Sequence, residues 1–279
     1  MGFTSVAVSV DGLVGHLELN RPQKGNAIDQ QMWLELPVAL QDLLDRGARA
    51  IVLSGSGKNF CAGIDLDSLI SQVGPVNGSG EDGGCPGRDR HKFRQFVFVL
   101  QDAMSAFEAC PVPVIAAVAG HCIGAGIDMI TACDIRLATA AANFSVKEAD
   151  LGIVADMGTL QRLPSLVGHG MAAELALTAR SFSGTEAQAM HLVSQIYADR
   201  DALMAAAHAM ARQIAAKSPL AVVGTKRVLL YQRDHSVADG LDYVATWNAA
   251  VLPQSADFQE VFAARAEGRR PRFRPLSKL

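Results

Sequence analysis

The sequence predicts an α/β fold, and three observations carry that prediction. Strand-like apolar runs alternate with helical patterns from Val6 to Ala138. Two of those runs end in glycine-rich turns. From about Met157 onward helical patterns take over, broken at Pro164, Gly170, Gly184 and Pro219. A strand–helix–strand order of this kind implies parallel βαβ units.

Taken in order, Val6 to Val10 alternates, Asp11-Gly12 turns, and Val14 to Leu19 returns as the second arm of a hairpin. Residues 21–26 form a loop. Asp29 is placed to cap a helix running to about Asp45, whose apolar residues recur at helical spacing. Ala50 to Ser54 is short and wholly apolar, as buried parallel strands tend to be. A glycine-punctuated turn leads to Asp65. Residues 71–90 have no periodicity and many breakers, which predicts a loop. A helix from about His91 to Ala109 is stopped by Pro111. Val112 to Val118 is strand again, then a glycine-rich turn at 119–126, a helix to about Ala132, and strand over Asp134 to Ala138. We expect residues 1–200 to form the core with its site and 201–279 a C-terminal helical region with a basic tail. That region has too little material for a rich core of its own, so it is expected to pack on other subunits.

Composition bounds the function. Hydrophobic residues make up 49%, enough for a large core, and the net charge of −3 gives no reason to expect a nucleic-acid partner. The tail residues Arg265, Arg269, Arg270, Arg272, Arg274 and Lys278 are basic, and either meet phosphates or stay solvated. Cys61, Cys85, Cys110, Cys122 and Cys133 form no CxxC pair, as expected of reduced thiols in an intracellular protein. Lone histidines such as His16, His169 and His235 read as packing or surface residues, and no metal spacing is evident. The start of the chain predicts no secretory signal, and no run approaches the length of a membrane span. The last residues, Ser277, Lys278 and Leu279, match a receptor-read peroxisomal address. The expected location is therefore a peroxisome-type organelle in a eukaryote, or the cytoplasm in a bacterium.

Two segments share one form, an apolar strand entering a glycine-rich turn: residues 53–65 and 118–128. Neither ends in GK[ST], and neither matches the dinucleotide fingerprint. They are either plain tight turns or, if they face each other, a pair of main-chain donors to one oxygen, the geometry of an oxyanion hole. Three acids follow: Asp128, Glu148 and Asp156. Each is either a cap or surface acid, or a carboxyl held in apolar surroundings, whose raised pKa suits proton transfer near neutrality.

The runs LNRPQKGNAID (19–29), LSGSGKNFCAGIDL (53–66), AVAGHCIGAGIDMITACDIRLA (117–138) and VKEADLGIVADMGTLQRLP (146–164) resemble the crotonase, or enoyl-CoA hydratase/isomerase, superfamily. The resemblance spans about Val6 to Phe273. Within it the chain is most similar to the Δ3,5-Δ2,4-dienoyl-CoA isomerases. The resemblance implies a crotonase-like ββα spiral core with a C-terminal trimerisation region, assembled as a homotrimer or homohexamer. The partner implied is an acyl-CoA thioester, with CoA as part of the substrate and no separate cofactor. The Ile64 and Ala125 amides would bind the thioester oxygen. Ala62, Gly63, Asp65 and Leu66, with Gly126, would line the CoA side, and Lys24 would lie near the phosphates. Glu148 would serve C2 of the acyl chain, Asp156 would serve C6, and Asp128 matches an acidic position one turn beyond the oxyanion turn. Ala125 stands where the family usually has Gly. Arg265 and Gly268 stand where hydratases tend to carry Phe and Lys toward a neighbour's CoA.

The same resemblance separates two activities. Hydratases hold a water between two glutamates and typically have a small residue where this chain has Asp156. A carboxyl there suits a proton delivered to C6, beyond easy reach of an acid working at C2. We therefore expect 3,5-dienoyl-CoA isomerisation. The alternatives are 2-enoyl-CoA hydration by Asp128 and Glu148, and a non-catalytic CoA- or RNA-binding role, against which the net charge and the set of acids argue.

Overall fold

The computed structural model describes residues 2–73 and 85–276. Its strands are β1 (Val6–Asp11), β2 (Val14–Leu19), β3 (Ala50–Gly55), β4 (Val114–Val118), β5 (His121–Ile123), β6 (Ile135–Thr139), β7 (Asn143–Ser145), β8 (Phe182–Ser183) and β9 (Gln195–Tyr197). The helices of the N-terminal half are α1 (Gln30–Asp45), α2 (Leu66–Val73), α3 (Pro86–Ala109) and α4 (Ala125–Ala132). After them come α5 (Thr159–Val167), α6 (His169–Thr178), α7 (Gly184–Ala189), α8 (Arg200–Ala215), α9 (Pro219–Tyr231), α10 (Val237–Val251) and α11 (Ala256–Ala266).

The main sheet runs β1-β2-β3-β4-β6-β9, with β1 antiparallel at one edge and the remaining pairs parallel. The expected hairpin and βαβ order are both present. Every residue of β3 and β4 is buried, because helices cover both faces. The side chains divide with period two: Ile51, Leu53, Val114, Ala116 and Val118 enter one core, and Ala50, Val52, Ile115 and Ala117 enter the other. On the first side lie Met32, Leu36, Ala39, Leu40 and Leu43 of α1, whose first turn is capped by Asp29 accepting from the Met32 amide at 2.9 Å. On the second lies α8, through Leu203, Ala207, Ala211 and Ala215 at four-residue spacing. Fully burying one of the larger aliphatic chains contributes roughly 1.5–3 kcal/mol, so the two helix faces clamp the sheet firmly.

Four elements depart from the sequence expectation. α3 begins at Pro86 rather than near His91, and its first turns are exposed, so no buried stripe marks them; the buried residues begin at Leu100. α2 occupies 66–73, running past the turn into the first residues of the expected 71–90 loop. The rest of that expected loop, 74–84, lies outside the described residues. β9 extends the main sheet beside β6, and β8 pairs with β7 in a smaller sheet, both in a region read as mostly helical. Strands of two or three residues are too short to show alternation.

The remaining helices are anchored by polar contacts. Lys226 of α9 is buried and donates to the Phe107 and Val112 carbonyls and to Asp134, the last at 2.7 Å. Arg49 donates to the Phe273 carbonyl at 2.7 Å and holds the tail against the core. Arg269 is paired with Glu260 and Glu267, so the basic run is partly neutralised within the chain. Ser277 to Leu279 lie outside the described residues. Cys61, Cys110, Cys122 and Cys133 are buried free thiols and Cys85 is exposed. His16 packs against Ser54 and His208, and His235 against Tyr231. Among the described residues no helix is long and apolar enough to cross a membrane.

Candidate active site

The two glycine-rich turns face each other. Cys61 and Cys122 form a parallel bridge, with the Cys61 amide donating to the His121 carbonyl at 2.8 Å and the Ile123 amide to the Cys61 carbonyl at 2.9 Å. Ile64 and Ala125 therefore occupy the same offset beyond the paired cysteines. Each follows a glycine with positive φ, Gly63 at 104° and Gly124 at 51°. These are conformations that L side chains rarely adopt, and they turn the next peptide out of the pairing. Among the described residues neither the Ile64 nor the Ala125 amide has a protein acceptor. Ala125 opens α4, so its N–H is one of the free donors of a helix N-terminus. Its methyl is accommodated at that ordinary helical position, as the departure from Gly required.

Both amide-bearing residues line one cavity of about 560 Å³. Glu148 and Asp156 line it as well, with Ala62, Gly63 and Leu66 at its glycine-rich end. Phe96, Val97 and Leu100 of α3 and Ile153 and Val154 of the loop before α5 supply apolar wall. The order of the chain explains the convergence. β7 pairs in parallel with β5, and the Gly124 amide donates to the Ser145 carbonyl at 2.9 Å, so the short 3₁₀ turn at Glu148–Leu151 starts beside the oxyanion turn. A Cβ built on Gly124 would lie 3.3 Å from Glu148 Oε1. Gly124 thus supplies both the backbone turn and the room for the acid; the sequence reading missed it and singled out Gly126 instead.

The electrostatics suit proton transfer. Burial, reinforced by the neighbouring Asp128 charge, pushes Glu148 up to about 7, and Glu148 Oε2 has no hydrogen-bond partner. Burial also raises Asp156. Its side chain is exposed at the cavity's open edge and forms no ion pair among the described residues. The two groups that could have neutralised it are engaged elsewhere: Arg162 with Glu108, and His121 with Asn143.

Other expected site residues stand back from the cavity. Asp128 is fully buried in α4, and its Oδ1 accepts from both the amide and hydroxyl of Thr159 at 2.7 Å, capping α5. Its pKa is lifted to about 6, chiefly by burial. Its Oδ2 is buried without a hydrogen-bond partner, and its charge helps to raise Glu148. Asp65 is held by Arg21 at 3.0 Å, and Arg21 is also paired with Asp29. Gly126 packs on Cys61 and Cys122, where a Cβ would approach to 3.1 Å. Lys24 is exposed next to Gly25, whose carbonyl accepts from the Ala62 amide, so it borders the glycine-rich end without lining it.

The lifted Glu148 has a consequence for stability. Its ordinary pKa of 4.5 governs the unfolded chain and the value near 7 the folded one, so folding holds this proton more tightly. No cost arises below pH 4.5; the cost grows as pH rises and is complete above about 7. Glu148→Gln should therefore be more stable than the wild type by on the order of 2–3 kcal/mol above pH 7, with the gap closing towards pH 4.5. Paired thermal melts across that range test this, and a gap independent of pH refutes it.

Comparison with known proteins agrees with this geometry. A family model described as enoyl-CoA hydratase/isomerase matches residues 10–275. The peroxisomal Δ3,5-Δ2,4-dienoyl-CoA isomerase of Arabidopsis thaliana is 49% identical over 96% of this chain and 95% of its own length. The mitochondrial enzyme of the same name from Mus musculus is 43% identical over 95% of this chain and 80% of its own. Among solved structures, the enoyl-CoA hydratase of Bacillus anthracis superposes with a TM-score of 0.82 at 29% identity, covering 97% of this chain and 99% of that one. The chain belongs to the enoyl-CoA hydratase/isomerase family.

Proposed function

We propose that the protein isomerises 3,5-dienoyl-CoA to 2,4-dienoyl-CoA in fatty acid β-oxidation. The observation that carries this reading is one cavity holding two carboxyls, Glu148 and Asp156, together with two unengaged main-chain amides. The thioester oxygen accepts from the Ile64 and Ala125 amides. Glu148 takes the proton from C2, and the electron pair of that C–H bond delocalises to the thioester oxygen as a dienolate. Preorganised donors stabilise such charge by about 3 kcal/mol each. The dienolate then takes a proton from Asp156 at C6, leaving double bonds at C2 and C4 and a neutral thioester. No proton is gained or lost overall; solvent returns Glu148 and Asp156 to their starting states. Ala62, Gly63 and Leu66 border the CoA moiety, with Lys24 towards its phosphates.

Hydration of a 2-enoyl-CoA is supported less well, because Asp128, the second acid that reading needs, is enclosed by Thr159 away from the cavity. The relatives at 43–49% identity bear the isomerase name, whereas hydratase names come with matches at 34% and 29%. Turnover on matched 3,5-dienoyl-, 3-enoyl- and 2-enoyl-CoA thioesters tests the assignment. Conversion of the 3,5-diene should exceed hydration of the 2-enoyl ester, and the reverse order sinks it. A peroxisome-type location is supported by the peroxisomal plant relative. Assembly as a trimer or hexamer is supported by the exposed Val237, Leu241, Phe258 and Phe262 on α10 and α11.

A further inference from the structure

Asp156 lies on an irregular segment between a 3₁₀ turn and α5. Among the described residues, no amide from Val154 to Gly158 donates to a main-chain carbonyl, and the Asp156 amide turns towards its own carboxyl. The segment is held instead through its carbonyls, by side chains reaching in from helices. Gln101 of α3 donates from Nε2 to the Asp156 carbonyl at 2.7 Å. Arg162 of α5 donates to the Met157 carbonyl at 3.4 Å. That guanidinium is fixed by α3: it donates to Ser105 Oγ at 3.1 Å and, from Nε and Nη2, to Glu108 at 3.3 and 3.1 Å.

Gln101, Ser105 and Glu108 are spaced four and three apart, so they form one polar stripe along α3. Gly158 completes the fit. A Cβ there would lie 1.8 Å from Arg162 Nη1, so the guanidinium rests directly on the turn beside Asp156. The residues just before the stripe, Phe96, Val97 and Leu100, are cavity wall. α3 therefore shapes the tail end of the cavity and braces the acid that stands there. The oxyanion amides and Glu148 are built on other elements.

We propose that Gln101 is a positioning residue for the second proton transfer, fixing the Asp156 carboxyl against C6 by holding its backbone carbonyl. This rests on the isomerase reading. Without that donor the segment loses its one direct tie at Asp156, and misplacement by about an ångström costs up to about 100-fold in rate. Proton removal at C2 needs only Glu148 and the amides, so the two half-reactions should separate.

The experiment uses the full chain and a 3,5-dienoyl-CoA in deuterated water. It follows both formation of the 2,4-diene and deuterium uptake at C2 of recovered substrate. Gln101→Met keeps length and helix propensity and removes the donor. We expect kcat to fall about 10- to 100-fold with KM within about twofold of wild type, and exchange per turnover to rise by the same factor as kcat falls. Gln101→Glu provides a second test: its carboxylate cannot donate, but its protonated form can. Its deficit relative to wild type should narrow as pH falls towards about 4–5, the ordinary glutamate range. Parallel loss of exchange and turnover, or an unchanged ratio in both variants, overturns the proposal. If the wild type leaves the 3,5-diene unconverted, the isomerase reading falls and this inference with it. If the wild type converts it and the variants keep its ratio, only the role of Gln101 falls.

Discussion

Glu148→Gln is expected to lower turnover of 3,5-dienoyl-CoA by about 1,000-fold, within the range of 10²–10⁴ that a positioned base contributes. The amide cannot take the C2 proton, yet it nearly matches the shape of the acid against Gly124, so the cavity and the Ile64 and Ala125 donors survive. Binding of an unreactive acyl-CoA should change little, and deuterium exchange at C2 should vanish together with turnover. In the wild type, kcat/KM should rise about tenfold per pH unit on the acid side until near pH 7, where Glu148 becomes ionised, and fall on the alkaline side as Asp156 loses the proton it gives to C6. A limb near pH 4.5, the ordinary glutamate value, would mean that burial and the Asp128 field do not act on the working base. Retention of more than a tenth of wild-type turnover by Glu148→Gln would remove it from the C2 step.

Asp156→Asn gives the contrasting result. Isomerisation falls by about 10²- to 10³-fold while C2 exchange persists, because the dienolate still forms and is still gripped by the two amides. The recovered 3,5-diene should carry deuterium at C2, and the small amount of product should carry it at C6, where every proton source is exchanged with the solvent. Stability should hardly move, since Asp156 sits at the open edge of the cavity with no ion pair to lose among the described residues. If turnover stays at the wild-type level, protonation at C6 comes from solvent or another group. If exchange disappears as well, Asp156 rather than Glu148 serves C2. The two variants together thus assign each acid to its carbon.

How much of this was legible in the residues differs from one end of the site to the other. The parallel core announced itself, because residues 50–53 and Val114–Val118 are apolar throughout and Asp29 caps a helix of regular apolar spacing. The thioester end was nearly as plain, since two strand-to-glycine turns carry the same pattern and their pairing follows from the fold. Asp128 was legible only in part: its position one turn along α4 points to the site, but only the fold brings Thr159 over it. Gln101 carries no signal at all. Its partner is a backbone carbonyl 55 residues away, and such contacts leave no local pattern. The tail-end wall was hidden for a related reason, as the exposed early turns of α3 lack a buried stripe.

The reciprocal main-chain bonds between the segments at Cys61 and Cys122 mean that neither half of the hole can shift without the other. The carbonyl carbon is thereby a fixed origin, and every other atom of a bound tail is measured from it. Which carbon meets which acid is then a matter of counting bonds outward, and selectivity for double-bond position is a property of length. Divergence among relatives of this architecture has a natural place to occur, in the α3 wall and the segment bearing Asp156, where a different spacing would select a different carbon without disturbing the grip at the start of the ruler.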